Sequence, residues 1–294
     1  MKTGYLLLLV AITLMVSGCT DTTSPGSGGA GGETPALKNN EVVVLENIEA
    51  VPNDVKPERN FLISGFVTNN AKTKINGVII ELADYCSSVF DVTKTSCSLT
   101  SFDNYADCTF FLNPEASSKF QWGLKAPPAS RTAGRDFDCN MVVKTNYSYS
   151  AYGSTGVILA NDAEIAARET GPSPVTGDGP LKIYITVESA QPVGRGETFD
   201  VKIVLKNEGA GELERAILKA NFKINMPEGL TGNCDVPETI TTTKTKTESD
   251  PIFCAFTTPN TLPPRVTKFV TAEANYDYKF TSTVPVKLSV VKRA

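Results

Sequence analysis

Along most of this chain apolar and polar residues alternate with a period of two, as in a strand with one face in a core and one in water. Phe199, Val201, Ile203 and Leu205 interleave with Asp200, Lys202 and Lys206. Leu181, Ile183, Ile185 and Val187 repeat the pattern, as do Val284, Val286, Leu288 and Val290. In the first half, 42–45, 61–67, 77–82, 120–124, 141–149 and 156–159 read as strands. Turn-forming clusters separate them: Pro52-Asn53-Asp54, Asn69-Asn70, Pro127-Pro128, Gly209-Ala210-Gly211 and Pro263-Pro264. Seven or so short strands in each stretch of about 110 to 130 residues predict β-sandwiches. A single helical segment is expected from Asp162 to Glu169, with Asn161 and Glu164 at capping-box spacing. It leads into the Gly/Pro-rich run Gly171 to Pro180, which reads as a boundary.

The halves share landmarks. Phe61 and Phe199 each open a strand that ends at an asparagine, Asn69 and Asn207, 138 residues apart in both cases. Phe120, Trp122 and Leu124 match Ile252, Cys254 and Phe256 at an offset of 132. Asn146-Tyr147-Ser148-Tyr149 matches Asn275-Tyr276-Asp277-Tyr278 at an offset of 129. Order is kept and the offsets drift as loop insertions would make them. An all-β chain of two sandwiches in tandem follows, over 40–169 and 181–294, with 170–180 as linker.

The N-terminus adds a location. Lys2 precedes an apolar run, Tyr5 to Val16, that is short for a membrane span. Val16-Ser17-Gly18-Cys19 then resembles the lipobox of exported lipoproteins, and Thr20 to Thr34 is rich in Ser, Thr and Gly. The resemblance implies a signal peptide over 1–18, lipidation of Cys19 and a flexible stalk over 19–39. It places the body outside the cell membrane, on the extracellular or periplasmic side. An ordinary leader with Cys19 incidental, or an uncleaved anchor, is the alternative.

Charge and cysteines narrow the partners. The net charge is −4 and the cations are scattered, which argues against nucleic acid, whose binding needs clustered cations. Beyond Cys19 stand Cys86, Cys97, Cys108, Cys139, Cys234 and Cys254, an even set that reads as three disulfides. In the first half three connectivities exist. Strand order favours Cys86 with Cys139 and Cys97 with Cys108, because the end of the third strand lies beside the start of the sixth. Cys234 pairs with Cys254. No C-x2-C pair occurs and the chain has no histidine, so neither a metal site nor a cofactor is expected. Lack of histidine also excludes Ser-His-Asp and Cys-His catalysis. A carboxylate-pair hydrolase survives formally, but no acid pair sits in a cleft-like context, and the chain reads as a non-enzyme.

At this point the chain resembles archaeal cell-surface lipoproteins with tandem immunoglobulin-like domains of the CARDB or S-layer-associated type. The telling segment is Val201 to Gly209, a strand ending in Asn207-Glu208-Gly209, with Met226-Pro227-Glu228-Gly229-Leu230 after the next strand. The resemblance implies a lipid-anchored, non-catalytic binding or scaffold protein whose partner is an envelope protein or surface polymer. An accessory subunit of a transport, secretion or pilus assembly is the second reading.

Individual residues sharpen this only in part. Thr239 to Thr247 has high β-propensity and predicts an exposed edge strand, with Thr243, Lys244 and Lys246 as the candidate partner edge. Strand polarity would place that edge with Pro259 to Val266 at the end farthest from the lipid, and the first-half cysteines beside the linker. Trp122 reads as core, and the tyrosines around Tyr147 and Tyr276 as loop ties through their hydroxyls. Asn146 heads an N-x-S sequon, and Asp91, Asp103 and Asp107 read as solvated acids.

Overall fold

A computed structural model of the chain describes residues 40–97, 100–102, 107–161, 165 and 169–290, with backbone only at 100–102. Cys19, the leader, the stalk and most of the expected helix lie outside the described residues. Chain order runs β1 (Val43–Val51), β2 (Asp54–Val55), β3 (Asn60–Asn69), β4 (Ile75–Asp84), β5 (Asp91–Cys97), β6 (Thr100–Phe102), β7 (Asp107–Leu112), β8 (Ser117–Lys125) and β9 (Phe137–Ala160). It continues with β10 (Val175–Thr176), β11 (Leu181–Val187), β12 (Thr198–Asn207), β13 (Glu212–Leu213), β14 (Ile217–Leu218) and β15 (Phe222–Asn225). The last are β16 (Thr231–Cys234), β17 (Thr239–Ile240), β18 (Ile252–Thr257) and β19 (Arg265–Leu288). The fold is all-β.

Two sheets belong to one half of the sequence each: β1-β3-β8-β5-β6 and β11-β12-β18-β16. Their registers correspond at the offsets read from the sequence. Val43 pairs with Asn69 as Leu181 pairs with Asn207, and Ile63 faces Trp122 as Val201 faces Cys254. A third sheet, β13-β19-β9-β4-β7 with β2, β10 and β15 at its flanks, is common to both halves.

Its centre is a ribbon. β9 and β19 are 24 residues each and pair from Phe137 opposite Leu288 to Ala160 opposite Arg265. At about 3.4 Å per residue that is roughly 80 Å of strand. Cys139, Met141, Val143, Tyr147, Ala151 and Val157 of β9 are buried, as are Val270, Ala272, Ala274, Tyr276, Tyr278, Val284, Val286 and Leu288 of β19. One parity is buried along β19 and along β9 up to residue 154, so a single face serves two cores, and over 155–160 of β9 both faces are covered. β1 packs on β19 and β11 packs on β9. Phe61, Phe90, Phe120 and Trp122 fill the first core, and Phe199, Ile203, Ile252 and Phe256 the second. Ring centroids stand 5.3 Å apart for Phe61 and Phe90 and 5.7 Å for Phe199 and Phe256.

Three disulfides fasten the edges: Cys86 to Cys139, Cys97 to Cys108, and Cys234 to Cys254. The first ties the chain after β4 to its neighbour β9, the second joins β5 of one sheet to β7 of the other, and the third bridges opposed residues of β16 and β18.

Two sequence expectations change here. Strands 141–149 and 156–159 are one strand, because the alternation runs unbroken through Ser150 to Ser154 and no turn intervenes. Cys139 therefore lies opposite Val286, at the ribbon end away from the sheet β11-β12-β18-β16, and not beside the 170–180 segment. The Gly/Pro segment is also fastened down. Val175 pairs with Ser154, the Gly177 amide donates to the Tyr152 carbonyl at 2.7 Å, and Gly171 packs on Gln191. The described residues fall in one compact unit.

Candidate functional site at the middle of the ribbon

Midway along the ribbon Ser148 stands opposite Asp277, with Tyr147 opposite Tyr278 and Tyr149 opposite Tyr276. The tyrosines point to the buried face, and the serines and acids to the other. On the buried side the four rings contact one another edge-on or tilted, at 5.7 Å for Tyr147 with Tyr278 and 6.4 Å for Tyr149 with Tyr276.

Two chain segments enter this ring cluster. From the N-terminal side comes Glu41, 6 % exposed, which accepts from the Tyr147 hydroxyl at 3.4 Å and from the Ala210 amide at 2.6 Å. From the end of β12 comes the Asn207 turn. Asn207 Oδ1 accepts from the Gly209 amide at 3.1 Å and the Tyr278 hydroxyl at 3.0 Å, and its Nδ2 donates to the Gly211 carbonyl at 2.8 Å. Each of these buried polar groups thus meets another, which is what keeps such a seam affordable. Asn40 donates to Glu208 at 3.1 Å, and Tyr184 donates to the same carboxylate at 2.7 Å. The body's first described residue is therefore bonded to the second half, at mid-ribbon.

The seam suppresses tyrosine ionisation. Burial first, and then the Glu41 carboxylate, push Tyr147 and Tyr278 well above the usual phenol range. Burial does the same to Tyr276, whose hydroxyl lacks a well-formed hydrogen bond. Outside the core, Tyr184 is pushed up to about 12, mainly by its bond to Glu208.

On the opposite face the same residues floor an open cleft of about 290 Å³ lined by Ser148, Ser150, Asn275, Asp277, Arg215 and Asn221 among others. Asp277 accepts from Ser148 at 2.6 Å and pairs with Arg215 at 2.6 Å, while Ser150 donates to Asn275 Oδ1 at 2.5 Å. Lys144, Lys279, Glu212 and Glu214 form a surrounding lattice of ion pairs. The Asp277 carboxylate and Asn275 Oδ1 are engaged within the wall. The Arg215 side chain is 77 % exposed, so guanidinium N–H groups beyond its pair with Asp277 face the open cleft. This chemistry suits a small group rich in oxygen acceptors.

The residues singled out from sequence are spread apart. Only Thr239–Ile240 of the expected edge strand is a strand, paired with Ile217–Leu218. The chain then turns, because Thr243 Oγ1 accepts from the Lys246 amide at 2.9 Å and the Thr243 amide donates to the Lys246 carbonyl at 2.7 Å. Lys244 is exposed at the bend and Lys246 pairs with Asp250 at 2.8 Å. Threonine favours strands only where a neighbour supplies the ladder. Here its hydroxyl closes a local turn instead. The Thr247 carbonyl next accepts from the Asn207 amide at 2.7 Å, so this loop lies by the middle of the ribbon. Arg265, by contrast, pairs with Ala160 at the ribbon's far end. The two surfaces expected together are therefore separate. Asn146 is half-buried on a central strand between Ile79 and Lys279, and Asp91 pairs with Arg131 at 3.5 Å. Asp103 lies outside the described residues. Among those described, no three His, Cys, Asp or Glu side chains are grouped as metal ligands.

Sequence reasoning missed Glu41 and the seam. The signal available was an acid directly before a fully apolar strand start, Val42 to Leu45, where a solvated residue has no place to go.

No family model and no curated protein matches this chain. Among solved structures, a protein of unknown function from Porphyromonas gingivalis W83 is 11% identical, with 74% of this chain and 83% of that one covered at a TM-score of 0.20. Red sea bream transglutaminase is 9% identical, with 87% of this chain and 31% of that one covered at a TM-score of 0.19. Likenesses this slight carry no argument about function.

Proposed function

We propose that this is a lipid-anchored, non-catalytic binding or scaffold protein of the cell envelope, its body made of two immunoglobulin-like sandwiches. The observation that carries the reading is Val16-Ser17-Gly18-Cys19 with a Ser/Thr/Gly-rich stalk beginning at that cysteine. A diacylglyceryl or paired-chain anchor is implied, since one acyl chain alone gives marginal binding. Three disulfides fit an oxidising compartment. The immunoglobulin-like assignment rests on strand order. β1-β3-β8-β5 corresponds to strands A-B-E-D of such a domain, and β4-β9-β19 to C-F-G. In the second half β11-β12-β18-β16 and β15-β19-β9 take the same places. A body of this kind presents loops and edges at a fixed spacing, and the polar cleft at its middle is a candidate contact for an oxygen-rich surface polymer. The test is to express wild type and Cys19→Ser in the native host with a labelled lipid precursor. Wild type alone should take up label and enter the detergent phase. Equal partition of both into the aqueous phase would end the anchor proposal.

A further inference from the structure

In an immunoglobulin-like sandwich the last strand, G, turns back from F by a hairpin and lies beside it. Here neither half makes that turn. Residues 137–149 of β9 act as F of the first sandwich beside β4, and the strand then runs straight on. Its second part, 150–160, lies under β11 and beside the start of β19, where G of the second sandwich belongs. β19 does the reverse. Its start pairs with β15 as F of the second sandwich, and its end, 276–288, completes the first.

The exchange is symmetric to the residue. Asn146 to Tyr149 and Asn275 to Tyr278 are equivalent by sequence, and the register sets Tyr147 opposite Tyr278 and Tyr149 opposite Tyr276. Ser148 and Asp277 form the pair about which the two strands interchange. Both borrowed strands are integral to their hosts. Val284, Val286 and Leu288 are buried, while Lys287 and Ser289 donate to the Asn53 and Val55 carbonyls at 2.8 and 2.9 Å. At the other end the Ala160 amide donates to Val193 at 3.0 Å, and the Val193 amide to Ile158 at 2.9 Å.

We propose that the two halves are a strand-exchanged pair fused in one chain, each the obligatory partner of the other. The connection through 161–180 is then not what holds them together. Residues 172–175 are exposed, and a protease that cuts there leaves a two-chain body in which the C-terminal piece stays on the N-terminal one. No disulfide spans the cut, since two bridges precede it and one follows. Retention would rest on strand pairing and the shared core alone. The proposal rests on the immunoglobulin-like strand assignment and is independent of the anchor, so it is tested on the full chain carrying Cys19→Ser.

A site-specific protease sequence is inserted between Ser173 and Pro174, and the uncut protein is checked against the parent by circular dichroism. After cleavage, size exclusion with light scattering should give one species at the mass of the uncut chain, while a denaturing gel shows two pieces. Denaturant should separate the pieces in the same transition that unfolds them. Parent protein nicked in the same segment by limited proteolysis gives a second sample without an insertion. Two separately eluting folded fragments would overturn the proposal. A species of twice the chain mass before cleavage would overturn it too, by showing that the strands are exchanged between copies.

Discussion

The two asparagine turns make the most instructive comparison in the molecule. Asn69 and Asn207 end equivalent strands and are buried. Each accepts through Oδ1 from the amide two residues on and donates through Nδ2 to the carbonyl four residues on, with bonds of 2.8 to 3.1 Å. The shared part is a local device, an Asx turn written into the chain by one residue. What surrounds it differs. Asn69 spends its remaining donor capacity on Leu112 and Asn113 of its own sandwich. Asn207 spends its remaining acceptor capacity on Tyr278, in the seam. The same motif is a domestic brace in one half and part of the joint between halves in the other.

That contrast predicts where alkali acts first. Tyr147, Tyr276 and Tyr278 line the seam, and all three are held above the usual phenol value of about 10 in the folded protein. A group with a raised folded pKa gives its full stabilisation below the unfolded value. As pH rises past about 10 the unfolded chain ionises and the folded one does not, so stability falls. Each such tyrosine costs about 1.4 kcal/mol per pH unit, or about 4 kcal/mol for the three together. The part of the phenolate absorbance that is lost on changing Tyr147, Tyr276 or Tyr278 to Phe should therefore rise in step with loss of circular dichroism. If all three titrate near pH 10 in a protein that stays folded, the seam is wet.

A smaller effect separates the turns directly. The residue two beyond the asparagine is Ala71 in the first half and Gly209 in the second. A Cβ on Gly209 would come within 2.5 Å of the Glu41 carboxylate and of Pro180, and closer still to the Tyr278 hydroxyl. Glycine is needed there because the seam approaches the backbone, whereas the first turn accommodates a methyl group at a buried site. Gly209→Ala should cost about 3 kcal/mol by overpacking, and Ala71→Gly about 1 kcal/mol through backbone entropy. Chemical denaturation of both variants checks this. Equal losses would mean that the second turn is no more crowded than the first.

Much of this fold is legible in the alternation of side chains, since a half-buried strand writes its burial into every second residue. β3, β11, β12 and the end of β19 are read that way, as are the core position of Trp122 and the correspondence of the halves. The through-running strands are not, because Ser150 to Ser154 and Thr271 to Asn275 supply small or polar residues at mid-ribbon. Their inward members, Ala151, Gly153, Ala272 and Ala274, are small where the opposing sheet comes close, as Ile183 does at Gly153. Small residues between apolar runs look like a turn in sequence and serve as a close-packed strand in space. The Thr239 to Thr247 segment errs the other way. Its β-propensity is high, but only Ile240 and Thr242 are buried, so few side chains hold it to a sheet.

The ends of the ribbon offer the smallest test. At the Phe137 end, Cys139 is bonded to Cys86, which ties β9 covalently to the chain after β4. At the Ala160 end Glu169 meets Arg265 through a two-pronged ion pair, with Nη1 donating to Oε1 at 3.0 Å. The hydrogen bonds from Arg265, and then its charge, hold the Glu169 carboxyl below its ordinary value of 4.5. A lowered folded pKa stabilises above the unfolded value and is lost as pH falls through the folded one. Both side chains are about two-fifths exposed, so solvent and salt screen the pair. Arg265→Gln should lower Tm at neutral pH by less than Ala71→Gly does. The deficit should shrink as pH falls from 4.5 toward the folded value, and it should shrink with added salt. A deficit unchanged by acid would show that Arg265 acts at that end through packing and not through its charge.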